Sequence, residues 1–406
     1  LAKLLAADAT LGGGRYEVRP VALPDVTRDR HYNGFSNGTL WPLFHYFPSL
    51  VRYDQDWFDH YRTANSLFLD TLERTVRPGD RVWIHDYHLM LLPGMLRKRF
   101  PDLPICFFLH IPFPSYEVYR LLPAAWRIEL LEGILGADLV GLQTHDHAQY
   151  LLKSVQQLLG YELDLRTVRG RTHSTVVDAF PVSIDPARFR EAFDDHAVVA
   201  EKNLLRKNTM GQRLILSIDR LDYTKGVLQR LQGYEHFLGT HPEMLGKVAF
   251  LLLIVPSRDA ITKYRELKEH IEAAVGRING RFGGVDWQPI IYQYRSVDHK
   301  KLCALYQAAD VALITPLRDG MNLVAKEYVA ARKDRRGVLV LSETAGAANE
   351  LGGALIINPT HRDAIASALV TALEMPIDEQ SIRMQEMQQR LTRYDVVRWA
   401  EDLLGQ

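Results

Sequence analysis

Cysteine is nearly absent. Cys106 and Cys303 are the only two in 406 residues, one in an apolar strand-like run and one in a helix-like run. That excludes a disulfide framework and points to a reducing compartment, the cytoplasm. Excess charge of either sign is also missing: Lys+Arg and Asp+Glu each number 49. No overall field therefore recruits nucleic acid or an acidic membrane, and any anion site has to be local. No stretch approaches 18 uninterrupted apolar residues, and the first residues lack a signal-peptide layout. An Asp-x-Asp metal signature on a suitable strand is lacking as well. Asp54-Gln55-Asp56 instead opens a long amphipathic helix over 57–75, where acidic residues suit the first turn.

What is present is an alternation of short apolar runs and helical patterns, 47% hydrophobic and 24% charged overall. At this length one core is too few, and two α/β domains are expected. The spacing predicts strands at 80–86, 105–110, 137–143 and 175–182. After Ile184-Asp185-Pro186 and a charged helical segment the pattern restarts, with strands at 213–219, 248–255, 289–294, 309–314, 337–341 and 354–357. Expected boundaries are 1–185, 186–393 and a tail, 394–406, packing back across the first half. A further strand is expected at 15–23, preceded by a Gly12-Gly13-Gly14 turn. That triplet follows a helix and precedes a strand, the reverse of a phosphate loop.

The most informative stretch is TPLRDGMNLVAKEY (315–328). It follows a buried strand, turns at Arg318-Asp319-Gly320, and enters a helix with Asn322 as the expected N-cap. Such a turn presents the backbone N–H groups of Met321, Asn322, Leu323 and Val324 to an anion. Asp319 and Glu327 would repel that anion unless they bind something else, and sugar hydroxyls fit. Arg220 and Lys225 flank another strand-to-helix loop. A helix start disfavours cations, so this pair reads as a diphosphate clasp, with Asp222 orienting Arg220. Arg258, at a third strand end, suits a second phosphate on an acceptor. In open parallel sheets the ligand lies beyond the carboxyl ends of strands, where Asp86 and His110 both fall. His145 and His147 also follow a strand but read as structural. The aromatic segment HYNGFSNGTLWPLFHYF (31–47) offers Tyr32 and Trp41 either to a pocket or to a hydrophobic cluster beneath a loop. These parts fit transfer of a sugar from a nucleotide diphosphate.

The motifs YNGFSNGTLWPLFHY, WIHDYHLMLLP, FFLHIPFPS, RLDYTKG, GRINGRFG, TPLRDGMNLVAKEYVAAR and AGAANEL run over nearly the whole chain. On them it resembles the trehalose-6-phosphate synthase family, retaining glycosyltransferases of the GT-B fold with two Rossmann-like domains facing across a cleft. The resemblance implies transfer of glucose from UDP-glucose to glucose 6-phosphate without a catalytic metal or other cofactor. It also implies Arg220 and Lys225 on the donor diphosphate, and Asp319 with the backbone of residues 320–323 on the glucosyl hydroxyls and diphosphate. Glu327 would bind the ribose, and His110 would reach the donor glucose. Tyr32, Trp41, Asp86 and Arg258 would form the acceptor pocket, with Arg258 on the 6-phosphate. The family's same-face retention fits the absence of carboxylates paired as in a retaining glycosidase. The family also opens with an arginine-bearing strand and a glycine loop, which this sequence lacks; earlier residues are expected before Leu1. A homo-oligomer, or a fused or associated trehalose-phosphate phosphatase, is a further expectation. Two other readings stay open: a pseudo-glycosyltransferase joining a nucleotide-cyclitol to an aminocyclitol phosphate, and a non-catalytic synthase-like regulatory subunit.

Overall fold

A computed structural model describes residues 17–171, 173–209, 211–257 and 262–405; the Gly12-Gly13-Gly14 turn and Arg258 lie outside them. Among the described residues, two six-stranded sheets carry the fold. The first holds β1 (Val82–His85), β2 (Ile105–Phe108), β3 (Leu139–Leu142), β4 (Glu162–Asp164), β5 (Thr167–Arg169) and β6 (Ser174–Ala179). Its order is β1-β2-β3-β6-β5-β4, the first four parallel and β5 and β4 an antiparallel ribbon. The second holds β7 (Arg213–Arg220), β8 (Val248–Val255), β9 (Ile290–Tyr294), β10 (Val311–Ile314), β11 (Val338–Ser342) and β12 (Leu355–Ile357). Its order is β12-β11-β10-β7-β8-β9, parallel throughout. This is the mixed α/β, two-sheet architecture of the GT-B class.

The reason lies in composition. VAFLLLIV of β8 is buried along all but its last residue, which requires helices on both faces and so βαβ crossovers. One expectation needs correction, and one element was missed. Residues 17–24 form no strand, because Pro20 and Pro24 interrupt the run and lack the N–H groups a ladder needs. Pro24 instead precedes a helix over Asp25–Asp29, continued by a π-helix over Arg30–Leu40 and a turn of α-helix over Trp41–Phe44. The β4–β5 ribbon was not foreseen, since strands of three residues are too short for period two to show.

The chain leaves the first sheet after β6 and returns at its end, and the two crossings are hydrogen-bonded. Val396 N donates to Ile184 O at 2.9 Å. The terminal helix Val396–Leu404 then lies on the first sheet. Trp399 packs its ring 5.3 Å from that of Trp83 and 5.1 Å from that of Phe108, and its indole N–H donates to Phe180 O at 3.1 Å. One apolar cluster runs unbroken from Phe108 and Trp399 to Leu214 and Leu339, so the halves share core at this junction. Trp399→Ala is expected to cost about 3–5 kcal/mol, the usual range for emptying a buried tryptophan site. Urea unfolding measures this, and an unchanged midpoint would show that the helix does not anchor the junction.

Candidate active site

The carboxyl ends of β7 and β10 build one wall of the site. Arg220 closes β7, exposed and without an ion pair among the described residues. The next loop is fixed from within: Asp222 Oδ1 accepts from Thr224 N at 3.0 Å, and Gly226 has a φ of 66°. A Cβ at Gly226 would stand 2.7 Å from Thr315 O, so only glycine lets this loop touch the one after β10. Leu317 N donates to Thr224 O at 2.7 Å, joining the two loops. Lys225 then donates from Nζ to Asp319 Oδ2 at 2.6 Å, both side chains being largely buried.

Beneath them lies a residue that the sequence reading missed. Arg230 is fully buried; it bonds Asp219 at 2.6 Å, Thr315 Oγ1 at 2.9 Å, Lys225 O at 2.9 Å and also Ser217. The signal was available, since Arg230 sits on the apolar stripe Val227, Leu231, Tyr234 of its helix, where a cation needs a buried partner. It is a positioning residue, bracing the undersides of both loops.

The loop after β10 is equally constrained. Asp319 forms a parallel bridge with Ala345, and Ala347 N donates to Met321 O at 2.8 Å. Asn322, at φ 90°, is the N-cap expected. Its Oδ1 accepts from Ala325 N at 3.0 Å and its Nδ2 donates to Asp319 Oδ2 at 3.0 Å. With Ala325 capped, the N–H groups of Leu323 and Val324 remain in the first turn of the helix Leu323–Ala331, outside its ladder. The hydrogen bonds from Lys225 and from Asn322 both fall on Asp319 Oδ2, and Oδ1 accepts none from a described residue. Glu327 lies farther along this helix, where Tyr306 Oη donates to it at 2.7 Å. Burial raises its pKa, against that hydrogen bond and the charge of Arg188.

The opposite wall comes from β1 and β2. Asp86 follows β1 with φ 74°, a strained backbone costing roughly 1–3 kcal/mol and typical of functional sites. Its Oδ1 accepts from His110 N at 3.3 Å. His110 Nε2 lies 3.0 Å from His85 Nδ1, the rings stacked at 5.2 Å. The walls meet here: a Cβ on Gly320 would stand 2.4 Å from His110 O. Asp86, His110, Lys225, Asp319, Gly320, Met321 and Asn322 are thus brought together, and the charge of Arg220 is felt at Asp86. Tyr32 is exposed and stacks on His88 at 5.4 Å, at the rim of a pocket of about 560 Å³ that His85 also lines. Trp41 is buried instead, against the rings of His45 and Tyr87, and so backs the site rather than facing it. His147 is buried in the helix that follows β3.

Charge states follow from burial. Burial pushes the Asp86 carboxyl up to about 6, against the N–H groups of Tyr87, His110 and Ile111 and the charge of Arg220. Burial and the neighbouring His85 bring His110 down to about 4, so it is a neutral hydrogen-bonding group at physiological pH. Burial disfavours the Lys225 ammonium, yet the carboxylates of Asp319 and Asp219 outweigh it and raise its pKa. For Asp319 burial is likewise outweighed, by Lys225, and its pKa is lowered. The pair is therefore ionic. His45, which sequence reading also passed over, faces the charges of Asp222, Asp319 and Lys225, and burial holds it near 4.

The model of glycosyltransferase family 20 matches residues 9–406. The chain is 48% identical over 387 residues to a bifunctional trehalose-6-phosphate synthase/phosphatase of Thermoproteus tenax, covering 95% of this chain and 53% of that protein. It thus spans about half of that relative's length. Among solved structures it is similar to a UDP-forming alpha,alpha-trehalose-phosphate synthase of Burkholderia xenovorans in complex with glucose-6-phosphate. The TM-score is 0.91 at 37% identity, over 94% of this chain and 84% of that one. It is equally similar to the E. coli protein bound with UDP-2-fluoro glucose, with TM-score 0.91 and 37% identity over 94% and 85% of the two chains.

Two outcomes are expected from this geometry. In the folded chain Asp86 holds its proton more tightly than in the unfolded one, so it lowers stability as pH rises from about 4 through about 6. Asp86→Asn should therefore stabilise at pH 7.5 by on the order of 1–3 kcal/mol and much less at pH 4; equal urea midpoint shifts at the two pH values would contradict this. Gly320→Ala should leave each half folded by circular dichroism while cutting turnover at least about tenfold, because the walls can no longer approach.

Proposed function

This chain belongs to glycosyltransferase family 20, and from that premise we propose that it transfers glucose from UDP-glucose to glucose 6-phosphate with retention, releasing UDP and α,α-trehalose 6-phosphate. The observation that carries the reading is the Arg220 guanidinium, without an ion pair among the described residues, beside the fixed Lys225–Asp319 pair at the mouth of a helix start. In the reaction the bond from the anomeric carbon to the diphosphate breaks, and the bond to an acceptor hydroxyl oxygen forms on the same face. The departing phosphate oxygen takes the hydroxyl proton, so no protein carboxylate need act as nucleophile.

Charge building on the diphosphate is met by Arg220, Lys225 and the N–H groups of Met321, Asn322, Leu323 and Val324. A single preorganised donor of this kind is worth roughly 2.7–4 kcal/mol in the transition state, and a cation about 4 Å from a phosphate oxygen roughly 4 kcal/mol before desolvation. With that much fixed positive charge the chemistry needs no metal ion or other cofactor. The open oxygen of Asp319 takes a glucosyl hydroxyl, with Gly320 at the close approach, and Glu327 takes the ribose. Neutral His110 hydrogen-bonds the donor glucose. Asp86 and Tyr32 face the acceptor, backed by Trp41, and Arg258 holds its phosphate. Acceptor and donor fall to the first and second halves respectively.

No described helix is long and apolar enough to cross a membrane. Small soluble substrates fit action in the cytoplasm without nucleic acid or membrane. The fusion named in the Thermoproteus tenax relative makes a phosphatase the natural consumer of the product, fused or associated, and self-association is compatible with the reading.

Incubation with UDP-glucose and glucose 6-phosphate should yield a disaccharide phosphate by mass and equimolar UDP; turnover with nucleotide-cyclitols alone would overturn the reading. Arg220→Ala should weaken UDP binding and lower turnover by about two to three powers of ten. Arg258→Ala should raise the KM for glucose 6-phosphate more than that for the donor, and the reverse ordering would refute its place.

A further inference from the structure

A second concentration of positive charge lies away from the cleft, where the chain crosses between its halves. A cavity of about 420 Å³ is lined by Arg190, Lys333, Arg335 and Arg393, with Gln385 and Thr392 among its neutral donors, and no carboxylate lines it. Lys333 has Asp194 as an ion-pair partner outside the cavity. Arg190 bonds only the Thr392 hydroxyl, at 3.2 Å, and Arg335 only Gln385 Oε1, at 2.9 Å, among the described residues. Arg393 has no partner there. Cations near Arg335 and Arg393 suit the carboxyl ends of the helices Leu323–Ala331 and Ile377–Arg393. Helix ends do not explain why four such side chains enclose one cavity without an acid between them, an arrangement that repels itself until an anion enters.

Each wall belongs to a segment that matters for the cleft. Arg190 follows the first crossing, and Arg393 precedes the second, next to the Val396–Ile184 hydrogen bond. Lys333 and Arg335 lie in the turn ending the helix whose first turn is the diphosphate loop. We infer that this cavity binds a small, multiply charged phosphate-bearing anion, and that its occupancy ties the crossing segments together. Guanidinium forks converging from three segments suit phosphate oxygens, and the volume is that of a small-molecule site. The inference stands independently of the proposed reaction.

The test uses inorganic pyrophosphate as probe, titrated calorimetrically into the intact chain, into Arg220→Ala, into Arg335→Gln/Arg393→Gln, and into the triple variant. Two binding events are expected in the intact chain, one abolished by Arg220→Ala and the other weakened at least tenfold by the double variant, whose basal turnover is unchanged. Pyrophosphate should also slow amide exchange at Val396 in Arg220→Ala but not in the triple variant. A double variant that binds like the intact chain overturns the site, as does an equal response to chloride at matched ionic strength. Unchanged Val396 exchange overturns the coupling. A single event in the intact chain, untouched by Arg220→Ala and weakened by the double variant, would count against the donor assignment and leave this site standing.

Discussion

The ion pair between Lys225 and Asp319 is the constraint on which the site depends. Two charges 2.6 Å apart and largely out of water gain Coulomb energy but pay desolvation, so such a pair adds little net stability. What it fixes is position. It ties the loop after β7 to the loop after β10, and Asn322 and Thr224 complete the tie through Asp319 and Leu317. The second buried pair, Arg230 with Asp219, repeats the device one layer down. Together they hold an ammonium, an open carboxylate oxygen and a helix start in one place before any ligand arrives. A site organised in advance need not reorganise when charge develops, which is where electrostatic catalysis gains.

The same economy governs how the halves face each other. Their contact at Gly320 and His110 leaves no room for a methyl group. Away from the cleft they share an apolar cluster and a hydrogen bond between the crossing segments. Arg318 lies over the ring of Tyr46 at 4.1 Å, and Phe47 meets Tyr223 edge to face at 5.0 Å. Two strained backbones lie where the walls meet, the positive φ of Asp86 and of Asn322. Both are held by hydrogen bonds to neighbouring elements, which is how an unfavourable backbone persists.

Much of this could be read from the residues. The central strands β3, β8, β10 and β11 announced themselves as short apolar runs, because a strand covered on both faces must be apolar throughout. Asn322 was legible as a cap because its chemistry is local, three residues from the N–H it accepts. Asp86 and His110 were legible because strand ends are where an open sheet binds ligands. Arg230 was less so: its partners lie 11 and 85 residues away in sequence, and no local rule pairs them. The burial of Trp41 was equally hidden, since an indole suits a pocket wall and a core alike, and only tertiary packing decides. Residues 17–24 misled by their β-branched content, although their prolines argued the other way.

The central claim is that fixed positive groups in the cleft receive the leaving diphosphate. A crystal structure of the chain with UDP tests it most directly. The diphosphate should lie between the walls, its oxygens within hydrogen-bonding distance of the Arg220 guanidinium, the Lys225 ammonium and the N–H groups at the start of the helix Leu323–Ala331. A diphosphate bound elsewhere, with Arg220 still turned to solvent and the Lys225–Asp319 pair unvisited, would contradict it.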